Sequence, residues 1–254
     1  MKLSDFGISR LSPSSLNSWA GSPSLWCLKY LFGWQDHAGP AAARGTAVEH
    51  GCKLYLTNPK TDIDLIHQDV VKAYEGALHG EFGESVDSEL ALLKPMLLTA
   101  IRGLNERGVK SLVGSQVRVS AYLPGIDEVE VVGYMDFVVN DGLILELKTT
   151  KRIPNVPRNN HLTQASFYRY ARNLDPLELM YCSDRRVVFH NVANADVEKE
   201  IFRLTEDAKS LIKCLECFKN STDMLSALPA SGPFGYSKEA MNFRKRILNA
   251  NKAA

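Results

Sequence analysis

The hydrophobic and polar positions of this chain follow two rhythms, and the change comes at Gly114. Before it, apolar residues recur at helical spacing. Ser12-Pro13-Ser14-Ser15 predicts a helix start, with Ser12 at the cap and Pro13 in the first turn. Leu16, Trp19 and Ala20 then fall on one face. Gly21-Ser22-Pro23 predicts a break, an aromatic-rich segment runs from Leu25 to Phe32, and Gly39-Pro40 ends that unit. Further helices are predicted over about Ala41–Leu56, Leu65–Leu78 and Ser85–Asn105. After Gly114 the period becomes two. Val117, Val119, Ala121 and Leu123 alternate with polar partners, and a second strand opens at Val129 and ends in Phe137-Val138-Val139. Asn140-Asp141-Gly142 predicts a hairpin turn into a third strand, Leu143–Leu147. A helix over His161–Arg172 follows, then strands Leu177–Cys182 and Val187–His190 joined at Ser183-Asp184. One long helix is predicted over Ala195–Phe218, and Gly232-Pro233-Phe234-Gly235 leads to a short basic helix. The order predicts an α/β protein with a central mixed sheet flanked by helices and a helical N-terminal elaboration. No compositional linker divides it, so one domain is expected over residues 1–254: a mainly helical part to 113, a sheet and helix over 114–191, and C-terminal helices from 192.

Composition narrows the picture. With 45% hydrophobic and 23% charged residues, the chain is too apolar for disorder. No apolar run reaches the ~18 residues of a membrane helix. Met1–Arg10 lacks the apolar core of a signal peptide. Five cysteines, an odd number, argue against a secreted disulfide scaffold and fit a reducing cytoplasm. A net charge of +1 excludes a globally basic nucleic-acid coat. The charge is uneven, however. Lys148, Lys151, Arg152, Arg158, Arg169 and Arg172 fall in a stretch with no acid, which can meet a polyanion or form an ordinary solvated face.

The candidate chemistry sits on the predicted hairpin. Asp136 and Glu146 lie near each other across it if their side chains share a face, and period two puts Glu146 and Lys148 on one face of their strand. Two carboxylates and an amine then converge among apolar neighbours. Burying unpaired carboxylates is costly. A divalent cation would remove that cost, and oxygen ligands suit Mg²⁺ or Mn²⁺ better than zinc. Lys148 can orient or deprotonate a water beside such an ion, which is the chemistry of phosphodiester hydrolysis. The competing reading is a structural acid–lysine pair at a strand end.

Arg44-Gly45-Thr46-Ala47-Val48-Glu49-His50 lies upstream on a predicted helix, and Gln164-Ala165-Ser166-Phe167-Tyr168 lies downstream on another. The serine-rich opening, a Gly-x-x-x-acid helix, an Asp strand, a Glu-x-Lys strand and a Gln-x-x-x-Tyr helix follow one another in that order. In this the sequence resembles the PD-(D/E)XK nuclease superfamily, in the branch of RecB-like nuclease domains and lambda-type phage exonucleases. The resemblance runs from Leu11 to about His190 and implies a restriction-endonuclease-like core of order αβββαβ. It implies Asp136, Glu146, Lys148, Gln164 and Tyr168 as catalytic residues. It also implies one or two Mg²⁺ or Mn²⁺ ions on Glu49, Asp136, Glu146 and the backbone carbonyl of Leu147. Glu49 holds the ligand position four residues after Gly45; His50, about 100° further round a helix, is the second candidate. Met135 stands where the namesake proline would be. Lys151, Arg152, Arg158, Arg172 and Arg44 are then expected at DNA phosphates. Trp19, Trp26, Tyr30 and Trp34 can stack on unpaired bases, but core packing is the expectation for most of them.

Some RecB-like relatives hold an iron–sulfur cluster on one cysteine near the first helix and three near the C-terminus. Cys27 and Cys214-x-x-Cys217 match in part. No cysteine follows Cys217, and Cys182 falls on a predicted strand, so no cluster is expected. Cys27, Cys214 and Cys217 are expected to pack as small hydrophobes. The resemblance implies a metal-dependent DNA exonuclease of recombination or DNA processing, cytoplasmic in a bacterial or phage-infected cell. A strand-annealing or single-strand-binding partner is implied with it, and the ring-forming lambda-type relatives raise a homo-oligomer. The alternatives are an endonuclease of the same fold, a nucleic-acid-binding α/β domain without turnover, and an unrelated domain with structural acidic pairs.

Overall fold

The computed structural model describes residues 3–35, 39–78, 85–140, 142–229 and 237–250. Asp141 of the predicted turn, the segment Gly232-Pro233-Phe234-Gly235 and Lys252 lie outside the described residues. After a 3-10 turn at Leu3–Phe6 come β1 (Arg10–Leu11), α1 (Pro13–Gly21), α2 (Pro23–Tyr30), α3 (Pro40–Thr57), α4 (Ile63–Ala77), α5 (Ser85–Leu90) and α6 (Leu93–Glu106). Then follow β2 (Leu112–Leu123), β3 (Ile126–Val139), β4 (Leu143–Thr149), α7 (Asn159–Ala171), β5 (Leu177–Cys182), β6 (Val187–Asn191), α8 (Asn194–Glu216), α9 (Ser221–Ala227) and α10 (Lys238–Ala250). The strands form a mixed sheet in the order β1-β3-β4-β5-β6, with β2 pairing β3, and helices flank it. Among the described residues no helix is long and apolar enough to cross a membrane. The chain divides into two compact units. One comprises Met1–Asp36, Ser120–Gly133 and Ala195–Ala254, the other His37–Val119 and Tyr134–Asn194.

The second unit carries the hairpin. Its core joins Val48 and Cys52 of α3, Ile66 and Val70 of α4, and Met96 and Leu97 of α6 to Phe137, Leu145 and Met180 of the sheet. Gly51 lets α3 lie close: a Cβ there would meet Val70 Cγ2 at 2.5 Å and Leu97 Cδ1 at 2.6 Å. The end of β3 and most of β4 are buried on both faces, so they read as continuous apolar runs, as central strands do. At their turn Asn140 has φ +47° and Gly142 +106°, left-handed values that these two residue types tolerate. β4 pairs with β5 in parallel, Glu146 opposite Leu179 and Lys148 opposite Tyr181. β5 and β6 are antiparallel.

Two local expectations need correction here. The single helix predicted over Ser85–Asn105 is two, interrupted at Ala91-Leu92. Pro95 is the cause: its ring would collide with the carbonyl of Ala91, so the helix restarts with Pro95 in its first turn. The first long strand begins at Leu112, earlier than the alternation from Val117 suggests, and Gln116 within it has φ +51°.

In the first unit, Arg10–Leu11 pairs in parallel with Glu130–Val131. Ser12 caps α1: its hydroxyl accepts the Ser15 N–H at 3.0 Å, and Ser15 Oγ accepts the Ser12 N–H at 2.9 Å. The buried stripe of α1 is Pro13, Leu16 and Trp19; Ala20, one step further round, is exposed rather than on the shared face. Trp19 and Trp26 are core, edge to face at 5.6 Å, whereas Tyr30 is 44% exposed. Arg244 of α10 is buried and donates to Ser24 Oγ at 2.6 Å and to the carbonyls of Leu225 and Leu228 at 2.8 Å. Cys27 is buried and Cys214 half-buried, but Cys217 lies beyond the end of α8 and is exposed, contrary to the packing expected of it.

Candidate active site

The paired rungs between β3 and β4 run from Val139–Leu143 to Phe137–Leu145. One residue beyond, the carboxylates take up the backbone donors. The Asp136 N–H donates to Glu146 Oε1 at 2.9 Å, and the Leu147 N–H donates to Asp136 Oδ2 at 2.9 Å. Asp136 is 8% exposed and Glu146 fully buried. Each acid is therefore fixed by the opposite strand. Lys148 Nζ lies 3.1 Å from Glu146 Oε2 and 3.2 Å from Gln164 Oε1. Gln164, on α7, passes the chain of bonds on: its Nε2 donates to the Tyr168 hydroxyl at 2.7 Å. The Tyr134 N–H donates to the same oxygen at 3.3 Å. With both acceptor sites of that oxygen in use, the Tyr168 O–H is left to donate.

Glu49 joins through a residue that sequence reasoning missed. Gln116 Nε2 donates to Glu49 Oε1 at 2.6 Å and to Asp136 Oδ1 at 3.3 Å. A non-glycine residue held at φ +51° is costly and tends to occur where the surroundings impose it. No sequence signal marks it: a glutamine in a polar strand looks solvated. His50 is exposed on α3. A second missed group is Tyr181, opposite Lys148 on β5. Its hydroxyl accepts the Arg158 N–H at 3.0 Å and shares a hydrogen bond of 2.8 Å with His161 Nδ1. This seats the start of α7 on the sheet.

Charge in the cluster is unbalanced. Burial, with repulsion from Asp136, pushes Glu146 up to about 8. Burial and then Asp136 push Glu49 up to about 7. Burial also raises Asp136, against the pull of Lys148. Burial opposes the charge of Lys148, but Glu146 and Asp136 outweigh it and keep the ammonium above its ordinary range. One ammonium cannot neutralise three carboxylates. Among the described residues no three His, Cys, Asp or Glu side chains form a ready-made metal cage. The Gln116 amide lies between two of the acids. The donor set nevertheless fits a hard divalent cation, since it is all oxygen and in excess of negative charge, with Asp136 and Glu146 buried and Glu49 half-buried. Replacing Gln116 by Ala removes a donor that favours the charged carboxylates. The expected loss is about 1–2 kcal/mol, larger at pH 8 than at pH 5, read by thermal unfolding in EDTA.

The residues expected at phosphates divide. Lys151, Arg152 and Arg158 are exposed around the end of β4 and the start of α7. Lys151 Nζ pairs with Glu89 at 2.8 Å. Arg44 is not at the surface: it is 4% exposed, ion-paired with buried Glu89, and donates to the Thr149 carbonyl at 3.4 Å. It lies on the inner face of α3 with Ala43, Ala47 and Val48, so it fastens that helix to the end of β4. Arg172 sits past the last turn of α7 and pairs with Asp175 at 2.9 Å.

The order helix, three strands, helix and strand thus places these acids where β3 and β4 part. Residues 10–222 match the family model of the PD-(D/E)XK nuclease superfamily. The chain belongs to this superfamily. No curated protein matches the sequence. Among solved structures, the chain is similar to SSO0001, with 13% identity over 76% of this chain and 88% of that one and a TM-score of 0.35. It is also similar to the alkaline exonuclease LHK-Exo from Laribacter hongkongensis, with 12% identity over 69% and 94% and a TM-score of 0.33. The same enzyme in complex with dAMP gives 13% identity over 70% and 94%, with a TM-score of 0.33.

Proposed function

We propose that this PD-(D/E)XK protein is a DNA exonuclease that hydrolyses phosphodiester bonds with Mg²⁺ or Mn²⁺. The observation that supports it is the convergence of Asp136, Glu146 and Lys148 where β3 and β4 part, with Gln164 bonded to Lys148. In this reading Glu49, Asp136, Glu146 and the Leu147 carbonyl hold the ion or ions. A bound divalent cation supplies charge stabilisation at the phosphate and an acidified water. Lys148 uses two of its three donors on Glu146 and Gln164, and the third orients the water or a phosphate oxygen. Tyr168, pushed far up by burial, stays protonated and offers its O–H to a phosphate oxygen. Lys151, Arg152 and Arg158 hold neighbouring phosphates without reading sequence.

The exonuclease form of this reading, and a setting in recombination with a strand-annealing or single-strand-binding partner, rest on the resemblance of the motif order to the RecB and lambda-type branch. The test is digestion of end-labelled linear DNA and covalently closed circular DNA with Mg²⁺, Mn²⁺ or EDTA. Linear DNA is expected to be degraded with either cation, circular DNA spared, and EDTA to stop the reaction. Cleavage of circles assigns an endonuclease. No cleavage of either substrate refutes the enzyme and leaves a binding domain.

A further inference from the structure

Beside the end of β4 the second unit has an open groove of about 640 Å³. Lys151 and Arg152 line it from the loop after the catalytic strand, Arg185 and Arg186 from the β5–β6 turn, with Ser88 and Ser183 between them. Two acids answer these four cations: Glu89 pairs with Lys151 at 2.8 Å, and Asp184 approaches Arg185 at 3.5 Å. Among the described residues the guanidinium groups of Arg152 and Arg186 meet no carboxylate.

The groove is preset. The Ser183 hydroxyl accepts the N–H groups of Arg185 and Arg186, both at 3.2 Å, and the Ser183 N–H donates to the Arg186 carbonyl at 3.0 Å. Thr99 Oγ1 donates to the Asp184 carbonyl at 3.2 Å, and Arg102 Nη2 donates to the Arg185 carbonyl at 3.1 Å. The turn backbone is thus tied to α6, while the Arg185 side chain is 88% exposed. The fixed turn backbone presents Arg186, which meets no carboxylate, and the exposed Arg185 beside Asp184, a placement that fits anion capture.

The groove's position names the anion. β4 and β5 are parallel, Thr149 stands opposite Cys182, and the Thr150 N–H donates to the Cys182 carbonyl at 2.9 Å. The loop after Lys148 and the β5–β6 turn therefore leave the sheet at one edge, the carboxyl end of parallel strands, where ligands of such sheets bind. Arg152 is four residues from Lys148, a span of at most about 14 Å.

We infer that this groove holds the phosphodiester backbone of the strand being cut, a few nucleotides from the scissile bond, with Arg185 and Arg186 as phosphate contacts. The inference rests on the nuclease reading. Its test is kept apart from turnover: fluorescence anisotropy of a labelled single-stranded oligonucleotide of about 20 nucleotides, in EDTA, between about 50 and 200 mM NaCl. Arg185→Ala with Arg186→Ala is expected to weaken binding about tenfold and to flatten the salt slope by about 1.4, at ~0.7 per lost phosphate contact. Arg185→Lys with Arg186→Lys keeps the charge and is expected to restore most of the affinity. Lys209→Ala with Lys213→Ala, the same charge loss on exposed positions of α8, is expected to change affinity less than about twofold. Wild-type affinity and slope in the Arg185/Arg186 alanine variant, or an equal loss in the α8 control, overturns the groove while DNA cleavage by the wild type still stands. A binding loss in a protein that cleaves no DNA refutes the nuclease and, with it, the strand being cut, and leaves Arg185 and Arg186 as phosphate contacts of a binding domain.

Discussion

Lys148→Ala is expected to lose about 100- to 10,000-fold in turnover, the range for removing one positioned proton-transfer group, while DNA binding stays within a few-fold. The split follows from where Lys148 sits. Its Nζ is fixed between Glu146 Oε2 and Gln164 Oε1, so it is aimed at the acids and not at open groove. Lys151, Arg152 and Arg158 remain to hold the backbone. Lys148→Arg should fail as well, because a planar guanidinium cannot reproduce a compact three-donor ammonium in that gap. The alanine variant also strips Glu146 of its cation and so favours the protonated acid. The checks are single-turnover cleavage with Mg²⁺ and anisotropy in EDTA. A Lys148→Ala protein that cleaves at the wild-type rate removes Lys148 from the mechanism.

The parts of this site readable from the sequence are those that local rules place. Asn140-Asp141-Gly142 between apolar runs fixes the β3–β4 turn, and the two-residue period then brings Asp136 opposite Glu146 and puts Lys148 on the face of Glu146. Gln164 and Tyr168 need only one helical turn. The break at Ala91-Leu92 has a local cause in Pro95, which the smooth apolar spacing across it masks. Elsewhere the sequence misleads where a tertiary contact overrides the local pattern. Arg44 looks like a surface cation until the buried Glu89 is set against it, and those two residues are far apart in the chain. Gln116 carries no local mark, since its role depends on a left-handed backbone that only the folded strand enforces. Arg185 and Arg186 read as an ordinary polar turn because the parallel pairing of β4 with β5, which sets them beside Lys151 and Arg152, is a non-local fact.

The cation-free protein is expected to lose stability as pH rises from about 5 to 8, and Glu146→Gln is expected to reduce that loss, leaving the smaller part due to Glu49 and Asp136, and to abolish turnover. An ordinary glutamate titrates near 4.5, whereas burial and Asp136 push Glu146 up to about 8. Between those values the folded chain keeps a proton that the unfolded chain has released. The folded state then binds more protons, and stability falls as pH rises through that window. Glu49, raised to about 7, and Asp136, also raised, act in the same direction. Lys148, held above its ordinary value, keeps its proton throughout and contributes nothing to the slope there. The loss should be on the order of a few kcal/mol. Glutamine is close in shape to a protonated glutamate, so wild type and Glu146→Gln should unfold at similar temperatures at pH 5 in EDTA. At pH 8 the wild type should unfold at the lower temperature. Mg²⁺ should then recover the wild type, because a ligand that binds only the folded state stabilises it by about 2.7 kcal/mol at one hundred times its dissociation constant. The variant, with one carboxylate fewer, should recover much less. These comparisons need only thermal unfolding at two pH values with and without Mg²⁺. A wild-type unfolding temperature in EDTA that is flat or rises from pH 5 to 8 would show that Glu146 is already ionised and neutralised in the folded protein, and the case for a cation at this cluster would lose its electrostatic basis.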